Sequence, residues 1–380
     1  MILKFVLAPD SFKESMSAKQ AAKAMEKGVK HIFPSANCII VPMADGGEGT
    51  TQSLVDASKG RMVQEEVTCP LGTKIIAEFG ILGDNETAII EMASASGIML
   101  VNPEDRNPLV TTTYGTGQLI KKALDLGVKK LIIGIGGSAS NDGGAGMLQA
   151  LGARLLDEFG DELPFGGGPL NRLHTIDLSN FDKRIETTKF KVACDVNNPL
   201  TGDNGASRVF GTQKGADEEK IILLDKNLHH FSKIIKKTNG KDIEFYPGAG
   251  AAGGLGGALL AFLDAELEKG VDLIINEVNL KDQVKDADYV FTGEGSIDFQ
   301  TQFGKTPIGV AKVGKEANAK VIAFAGRVGE NIDCLYEQGI DSIVSIMQEA
   351  TELEKALATG EINLEKIVEN ICRIIKISQN

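Results

Sequence analysis

The chain lacks tryptophan altogether, and its aromatic residues make up only 5% of its 380 residues. Proteins that bind single-stranded nucleic acid commonly stack bases on aromatic rings, so this composition argues against that function. Positive charge is also in the minority, because 40 lysines and arginines stand against 52 aspartates and glutamates and the net charge is −12. An acidic chain is poorly suited to DNA or to an anionic membrane surface, so we expect neither as a partner.

Cysteine and histidine are scarce as well. The five cysteines contain no CxxC pair, and the four histidines contain no HExxH motif. We therefore expect reduced thiols and no zinc site. No hydrophobic run approaches the roughly 20 residues of a membrane span, and Pro9-Asp10 interrupts the short apolar start, unlike a signal peptide. These absences predict a cytoplasmic protein.

Glycine, by contrast, is abundant at 44 residues. The most informative glycine-rich segment follows the hydrophobic run Leu131–Ile135, which predicts a buried strand, and it precedes a predicted helix. This loop also carries Ser138, Asn141 and Asp142. A glycine loop between a buried strand and a helix is a common anion-binding place in α/β proteins, because the backbone can approach the ligand closely.

The order of predicted elements indicates an α/β protein of about two domains. Strands at Ile2–Leu7 and Cys38–Val41 enclose a helix with Ser17 as its N-cap, which is a βαβ pattern. A hairpin around residues 83–86 then breaks the parallel pattern, which returns near Asp288. We predict a Rossmann-like parallel-sheet domain from residues 1–60 plus 287–380, and an inserted α/β domain with a mixed sheet from residues 61–286.

Two acidic residues and several glycines form the segment Thr292–Asp298, which is predicted to follow a strand. Carboxylates at the end of a strand suit a metal-bound phosphate. The nearby Gly304-Lys305-Thr306 resembles the end of a P-loop, but Phe299 stands where that motif needs its first glycine. Lys305 can still meet a phosphate as a point charge.

Further charged residues follow other predicted strands and turns. Asp195 comes after an apolar run, where a carboxylate can accept a proton or hold Mg²⁺. Arg208 and Lys214 are cations among glycines, and arginine can donate two hydrogen bonds to a carboxylate. Lys13, in the turn after the first strand, has similar potential.

Two other functional classes stay open at this point. Gly248–Gly253 matches GxGxxG, with Asp272 about 20 residues on, as in an NAD(P)-dependent hydroxy-acid dehydrogenase. Pro247 precedes the first glycine, however, where a dinucleotide fold has a buried strand. The glycine run is predicted to open a helix that stops near Gly270. A non-catalytic sensor of sugar acids would also explain a polar pocket.

Several motifs together resemble the type-1 glycerate kinase family. They are APDSFKES (8–15), ADGGEGT (44–50), TTTYGTG (111–117), GIGGSASNDGGAGM (134–147), CDVNNPLTG (194–202), GAGAAGGLGGAL (248–259) and TGEGSIDFQTQFGKTPIGVA (292–311). The resemblance covers nearly the whole chain in order. It implies a two-domain α/β kinase without a Walker A loop, which phosphorylates D-glycerate with ATP and yields 2-phosphoglycerate or 3-phosphoglycerate. The choice of product and the oligomeric state stay open.

With that resemblance, we assign the candidate residues to roles. The predicted catalytic residues are Asp195, as the base or as the group that aligns the attacking hydroxyl, with Lys13 and Arg208. Which carboxylate is the base and which binds metal stays open. The predicted substrate-binding residues are Asp10, Ser11, Asp45, Ser138, Asn141, Asp142, Asn198 and Lys214. For Asp45, and for the nearby Glu48, the alternative is that they only fix the turn before the next helix. ATP is predicted to contact Thr292, Gly293, Glu294, Gly295 and Lys305, and Mg²⁺ to contact Glu294 and Asp298.

Overall fold

The computed structural model describes residues 2–379. Within this range the strands are β1 (Lys4–Leu7), β2 (Asn37–Ile40), β3 (Arg61–Thr68), β4 (Lys74–Ile81), β5 (Thr87–Glu91), β6 (Lys130–Gly134), β7 (Arg154–Leu156), β8 (Thr175–Asp177), β9 (Lys189–Ala193), β10 (Glu266–Glu268), β11 (Tyr289–Ile297), β12 (Lys320–Val328) and β13 (Ser342–Ser345).

The α-helices of the same range are α1 (Ala18–Ile32), α2 (Thr50–Ser58), α3 (Ala93–Ser96), α4 (Tyr114–Asp125), α5 (Ala145–Ala150), α6 (Ala206–Phe210), α7 (Glu218–Asn239), α8 (Leu255–Phe262), α9 (Gly270–Glu277), α10 (Leu280–Gln283), α11 (Thr306–Glu316), α12 (Asp333–Glu337), α13 (Leu353–Ala358) and α14 (Gly360–Ser378). None of them is long and apolar enough to cross a membrane.

The chain forms two compact units. The first comprises residues 1–45, 52–59 and 270–380, and the second comprises residues 46–51 and 60–269. Helices α9 and α10 thus belong to the first unit, whereas the inserted domain predicted from the sequence extends to residue 286. The reason is that α9 packs closely on α11. A Cβ on Gly309 of α11 would lie only 2.4 Å from Val271 Cγ2 of α9.

The first unit contains a five-stranded sheet in the order β13-β12-β11-β1-β2, and every neighbouring pair is parallel. Parallel strands covered by helices read as nearly continuous hydrophobic runs, as Phe5–Leu7 does, with all its residues buried. The prediction of a parallel sheet built from both chain ends is confirmed for this unit.

Helix α1 begins where the sequence predicts. The Ser17 side chain accepts a hydrogen bond from the Gln20 backbone N–H, and the Gln20 side chain accepts one from the Ser17 backbone, which completes a capping box. The helix packs on α14 so closely that a Cβ on Gly28 would lie 2.5 Å from the Glu365 carbonyl oxygen.

The second unit contains a six-stranded mixed sheet in the order β10-β9-β6-β5-β4-β3. Strands β10, β9, β6 and β5 run parallel, while β5-β4 and β4-β3 pair antiparallel, so the predicted hairpin and mixed sheet are confirmed. The predicted end of α8 near Gly270 is wrong. The helix ends at Phe262, because Asp264 adopts a left-handed φ of +50° and the chain then enters β10.

Candidate active site

The first unit has one place where its strand order reverses. Taken in chain order, its strands lie in the sheet as second, first, third, fourth and fifth, so β1 and β11 are adjacent and connections leave them in opposite directions. Ligands of open α/β sheets bind outside the carboxyl ends of the strands at such a switch point. The residues that follow β1 and continue β11 are therefore the first candidates for a site.

Three carboxylates, of Asp10, Asp45 and Glu294, interact electrostatically at this edge. The Asp10 backbone N–H donates to the Gly293 carbonyl at 2.8 Å, which extends the pairing of β1 with β11. Asp10 Oδ2 accepts a hydrogen bond from Thr306 Oγ1 at 2.5 Å. We call Asp10, Asp45, Glu294 and Lys305 the carboxylate site.

Two acids of this site hold their protons unusually tightly. Burial raises the pKa of Asp10 to about 6, although the hydrogen bond from Thr306 opposes the shift. Burial likewise raises the pKa of Glu294 to about 7, and the neighbouring carboxylates add to this, while Lys305 and Thr301 oppose it. Carboxyls with such pKa values are typical of functional sites, where burial and neighbouring negative charges raise the pKa.

A lysine and a threonine contact Glu294. Lys305 Nζ lies 3.7 Å from Glu294 Oε1, and Thr301 Oγ1 donates to the same oxygen at 3.0 Å. Lys305 is the N-cap residue of α11, and no side chain caps that helix end. A cation beside a helix N-terminus favours a negatively charged ligand.

The donor set of the carboxylate site fits a magnesium ion that is shared with phosphates. Magnesium is usually bound through one or two carboxylates plus the substrate's phosphates, and it rarely has an all-protein cage. In residues 2–379, no group of three or more acidic, histidine or cysteine side chains forms such a cage. The carboxylates of Asp10, Asp45 and Glu294, with Lys305 beside them, therefore suit a magnesium nucleotide better than a bare metal ion.

Asp298 caps the turn that follows β11. Its carboxylate accepts a hydrogen bond from the Gln300 backbone N–H at 2.9 Å and caps the 3-10 helix Phe299–Phe303. Thr301 Oγ1 completes this cap by accepting from the Asp298 backbone N–H at 3.1 Å. Of the two residues predicted to bind Mg²⁺, Glu294 lies in the carboxylate site, while Asp298 fixes the turn that follows it.

The predicted nucleotide segment is strand for most of its length. The sequence predicts a loop after a strand here, but β11 continues to Ile297. Thr292 Oγ1 donates to the Ala8 carbonyl at 2.9 Å, and a Cβ on Gly293 would lie 2.2 Å from the Phe324 carbonyl oxygen. Gly293 is thus required by the close packing of β11 on β12. A Cβ on Gly295 would make only ordinary contacts.

The turn after β1 carries two more predicted residues. The Ser11 backbone N–H donates to Asp10 Oδ1 at 2.6 Å, which helps to fix that carboxylate. Lys13 is exposed. Through its hydrogen bond to Asp10, Ser11 belongs with the carboxylate site.

In the second unit, the glycine loop after β6 is organised by a buried aspartate. Asp142 accepts hydrogen bonds from the backbone N–H and the hydroxyl of Thr113, at 2.9 and 2.8 Å. It also accepts from the N–H groups of Gly144 and Gly146, at 3.1 and 3.2 Å. Burial raises its pKa, and these hydrogen bonds oppose the shift. Asp142 thus holds the loop to the start of α4.

A fully buried lysine lies against the same loop. Lys214 is 2% exposed, and its Nζ donates to Ser138 Oγ at 2.7 Å and to the Ser140 carbonyl at 2.6 Å. Burial lowers the pKa of Lys214 to about 7, and the charge of Asp142 opposes this shift. Because the ammonium donates to Ser138, the hydroxyl hydrogen of Ser138 is available to another acceptor.

Two buried polar atoms of this loop have no partner within the described residues. They are Ser140 Oγ and Asn141 Oδ1, although Asn141 Nδ2 donates to Ser207 Oγ at 2.9 Å. A buried polar group without a partner costs about 1–3 kcal/mol, which a polar ligand can offset. We call Ser138, Ser140, Asn141 and Lys214 the buried lysine site.

The other predicted residues of the second unit are nearer the surface. Asp195 is exposed in the loop that follows β9. Asn198 Nδ2, in the same loop, donates to the Asn204 carbonyl at 2.8 Å. Arg208, on α6, pairs with the exposed Glu218 at 2.9 Å. The guanidinium of Arg208 is thus engaged in an ion pair at the surface.

Sequence reasoning overlooked a further acid, Glu91, at the carboxyl end of β5. It accepts hydrogen bonds from the backbone N–H groups of Thr51 and Gly49, at 2.7 and 3.4 Å, and burial raises its pKa. The signal was available, since Glu91 ends a hydrophobic strand. Thr113, Thr301 and Thr306 were also missed as partners of the carboxylates, although each lies within a motif quoted above.

The dinucleotide interpretation of Gly248–Gly253 fails on its local structure. No strand directly precedes Gly248 among the described residues; the preceding element is the long helix α7. The glycines instead allow close packing of loops: a Cβ on Gly250 would lie 2.1 Å from the Pro199 carbonyl oxygen, and one on Gly253 would lie 2.1 Å from that of Ser140.

A parallel sheet with charged residues at its switch point, and a buried cation beside a glycine loop, are features of an α/β enzyme that acts on anionic ligands. Comparison with known proteins identifies the kind of enzyme. The model of the glycerate kinase family matches residues 5–376. The chain belongs to the glycerate kinase family and is an enzyme of the phosphotransferase class.

Named relatives match over nearly their whole length. The chain is 52% identical to a glycerate kinase of Haemophilus influenzae, over 98% of this chain and 99% of that protein. It is 50% identical to the glycerate 2-kinase of Escherichia coli K12, over 99% and 98%. A crystal structure described as "putative glycerate kinase 2 from Salmonella typhimurium LT2" matches all of both chains, with a TM-score of 0.93 and 47% identity.

Proposed function

We propose that this enzyme transfers the γ-phosphoryl group of ATP to the C2 hydroxyl of D-glycerate, giving 2-phosphoglycerate and ADP. Membership of the glycerate kinase family supports the substrate. The relative named glycerate 2-kinase, which is 50% identical over 99% of this chain, supports the C2 product. The acidic composition of the present chain does not argue against glycerate as a substrate, because a few lysines and arginines suffice to bind one small anion.

The carboxylate site is our proposed place for the magnesium nucleotide. One or two of the carboxylates of Asp10, Asp45 and Glu294 would supply oxygen ligands to the metal, and Lys305 would contact a phosphate. This assignment moves Asp10 and Asp45 from the predicted substrate residues to the nucleotide. The observation that supports it is their electrostatic coupling with Glu294 at the switch point of the sheet.

The buried lysine site is our proposed place for glycerate. The ammonium group of Lys214 suits the glycerate carboxylate, and the Ser138 hydroxyl can donate to the same ligand, because it already accepts a hydrogen bond from Lys214. The unpartnered Ser140 and Asn141 atoms suit glycerate hydroxyls. Asp142 would act as a positioning residue, since its hydrogen bonds to Thr113, Gly144 and Gly146 fix the loop.

In the proposed reaction, the C2 hydroxyl oxygen forms a bond to the γ-phosphorus, while the bond from that phosphorus to the bridging oxygen of ADP breaks. The hydroxyl proton passes to Asp195, which stays our predicted base at the end of β9. Lys13 and Lys305 would neutralise charge on the transferring group. Bound magnesium would neutralise the charge of the β- and γ-phosphates, because phosphoryl transfer depends chiefly on positioning and charge stabilisation.

The observation that supports this function most strongly is the family match over residues 5–376. ADP release from ATP should require both D-glycerate and a divalent cation. Asp195→Asn should lower kcat at least about a hundredfold, the scale for loss of a proton-transfer group.

The control is Asp161→Asn, which makes the same change in an exposed turn of the same unit and should keep kcat within twofold. ADP release that is independent of glycerate would refute the function. A wild-type rate in Asp195→Asn would refute only the role of that residue.

A further inference from the structure

Two exposed phenylalanines lie in contact on the turn after β11. Phe299 is 48% exposed and Phe303 is 71% exposed, and their ring centroids are 5.6 Å apart at an interplanar angle of 80°. Single exposed apolar residues are normal on protein surfaces. Adjoining rings instead form a continuous apolar surface, and surfaces of that kind commonly mark a binding site for a ligand or a partner. Neither ring has a role in the functions assigned above.

The turn that carries these rings is fastened to the carboxylate site. Thr301, buried in the same 3-10 helix, donates its hydroxyl hydrogen to Glu294 at 3.0 Å. Asp298 caps the first turn of the helix. The positions of the rings relative to Glu294 are therefore fixed by hydrogen bonds at the start and the middle of the helix.

The end of the turn also leads back to the carboxylate site. Gly304 closes the 3-10 helix with a φ of +102°, a conformation that favours glycine, and Lys305 follows directly. The rings thus lie along the chain between Glu294 and Lys305, whose side chains are 3.7 Å apart. An apolar surface is joined on both sides to groups that suit a metal-bound phosphate.

A nucleotide combines these two chemistries, since it has a charged phosphate end and a flat, weakly polar base. Two rings in an edge-to-face arrangement leave a face available to a third aromatic group. Stacking on a protein ring is a common way to bind a base. We propose that Phe299 and Phe303 form the surface on which the adenine of ATP stacks. This inference depends on the proposed function for its choice of nucleotide.

A direct test uses the absence of tryptophan from the chain. Phe303→Trp introduces a single indole that reports on its own surroundings. Titration with ADP should change its fluorescence saturably, whereas inorganic tripolyphosphate, which has no base, should cause a much smaller change. Phe159→Trp, at a position that is 82% exposed in the other unit, is the control and should not respond to ADP.

Kinetics provide the second test. The double variant Phe299→Ala/Phe303→Ala should raise KM for ATP about fivefold or more, the lower end of the effect of losing one stacked base. KM for D-glycerate should stay within twofold, and Phe303→Tyr should behave like the wild type. Phe159→Ala should leave all constants unchanged. An ATP KM within twofold of wild type in the double variant would overturn the inference.

A second copy of the chain is the competing occupant of this surface. If the rings mediate a dimer, light scattering will show a wild-type mass near twice 40.4 kDa that the double variant reduces to one chain. That result would overturn the stacking inference. The fluorescence titration needs no turnover, so it distinguishes failure of this inference from failure of the proposed kinase reaction.

Discussion

At the scale of single residues, Glu294 is held in surroundings that oppose its charge. Its side chain is 12% exposed, two other carboxylates interact with it, and its pKa is raised to about 7. A carboxyl with a raised folded-state pKa adds stability below its unfolded pKa of about 4.5 and loses that contribution as the pH rises through about 7. The ionised site is therefore unfavourable to the fold in the absence of a ligand.

Glu294→Gln should consequently stabilise the enzyme while impairing it. Without nucleotide or divalent cation, the variant should have a higher Tm than the wild type at pH 8, and the difference should shrink towards pH 5. The gain is of the order of 1–3 kcal/mol, because one pKa unit corresponds to about 1.4 kcal/mol. Activity with ATP and magnesium should fall at least about a hundredfold. Calorimetric scans at both pH values and steady-state kinetics measure these effects.

The control for this substitution is Glu330→Gln, at an exposed acid in the same unit. It should change neither Tm nor activity appreciably. A Glu294→Gln variant that is less stable than the wild type at pH 8 would contradict the account, since it would mean that the carboxylate is stabilised by its neighbours.

For single residues, the sequence indicates which charged side chains are candidates for the site, but it does not indicate their burial or their contacts. The sequence marks Lys214 as a candidate because it is a cation among glycines, but nothing in its sequence neighbourhood indicates that it is 2% exposed. Its burial depends on Ser138 and Ser140, which lie far from it in the chain. Arg208 looked equivalent in sequence, yet it forms a surface ion pair with Glu218.

At the scale of elements, the site loop of the second unit depends on two glycine-rich segments that interlock. The Gly143 backbone N–H donates to the Gly253 carbonyl at 3.0 Å. Gly253 itself has a φ of +69°, and a Cβ there would lie 2.1 Å from the Ser140 carbonyl oxygen. The glycine run that suggested a dinucleotide fold instead supports the loop of the buried lysine site.

Gly253→Ala should therefore destabilise the protein more than an alanine at another left-handed glycine. Gly240, which caps α7 with a φ of +79°, is the matched control, because a Cβ there would meet nothing within 4 Å. In both variants the free energy of unfolding should fall by about 1–2 kcal/mol, because alanine is strained in the left-handed conformation. Gly253→Ala should lose about 1–3 kcal/mol more through overpacking, and its KM for glycerate should rise.

Urea unfolding of the two variants measures the difference. Equal loss of stability in Gly253→Ala and Gly240→Ala would show that the loops do not interlock as described.

Elements with strong local signals were predicted closely, and those defined by distant contacts were not. Helix α1 starts directly after Ser17 because the capping box is local. By contrast, β11 runs on to Ile297 although its sequence from Gly293 looks like a loop. The neighbouring β12 pairs with it as far as Val328, and that partner is invisible in the local sequence.

At the scale of the whole molecule, the sequence indicates which segments form strands but not the order of the strands. The switch point exists because β11, which begins at Tyr289, far along the chain from the end of β2 at Ile40, pairs with β1 on the side opposite β2. That pairing brings Asp10 beside Gly293. The roles of Asp10 and Asp45 as partners of Glu294 therefore emerge only once the sheet is known.

The proposed function is transfer of the γ-phosphoryl group of ATP to the C2 hydroxyl of D-glycerate. The most direct measurement is a proton-coupled ³¹P NMR spectrum of a reaction containing the enzyme, ATP, magnesium and D-glycerate. ADP and one new phosphomonoester should form together, with the phosphomonoester signal split into a doublet by the single C2 proton. A triplet from two C3 protons would contradict the C2 product, and inorganic phosphate alone, or unchanged ATP, would contradict the transfer itself.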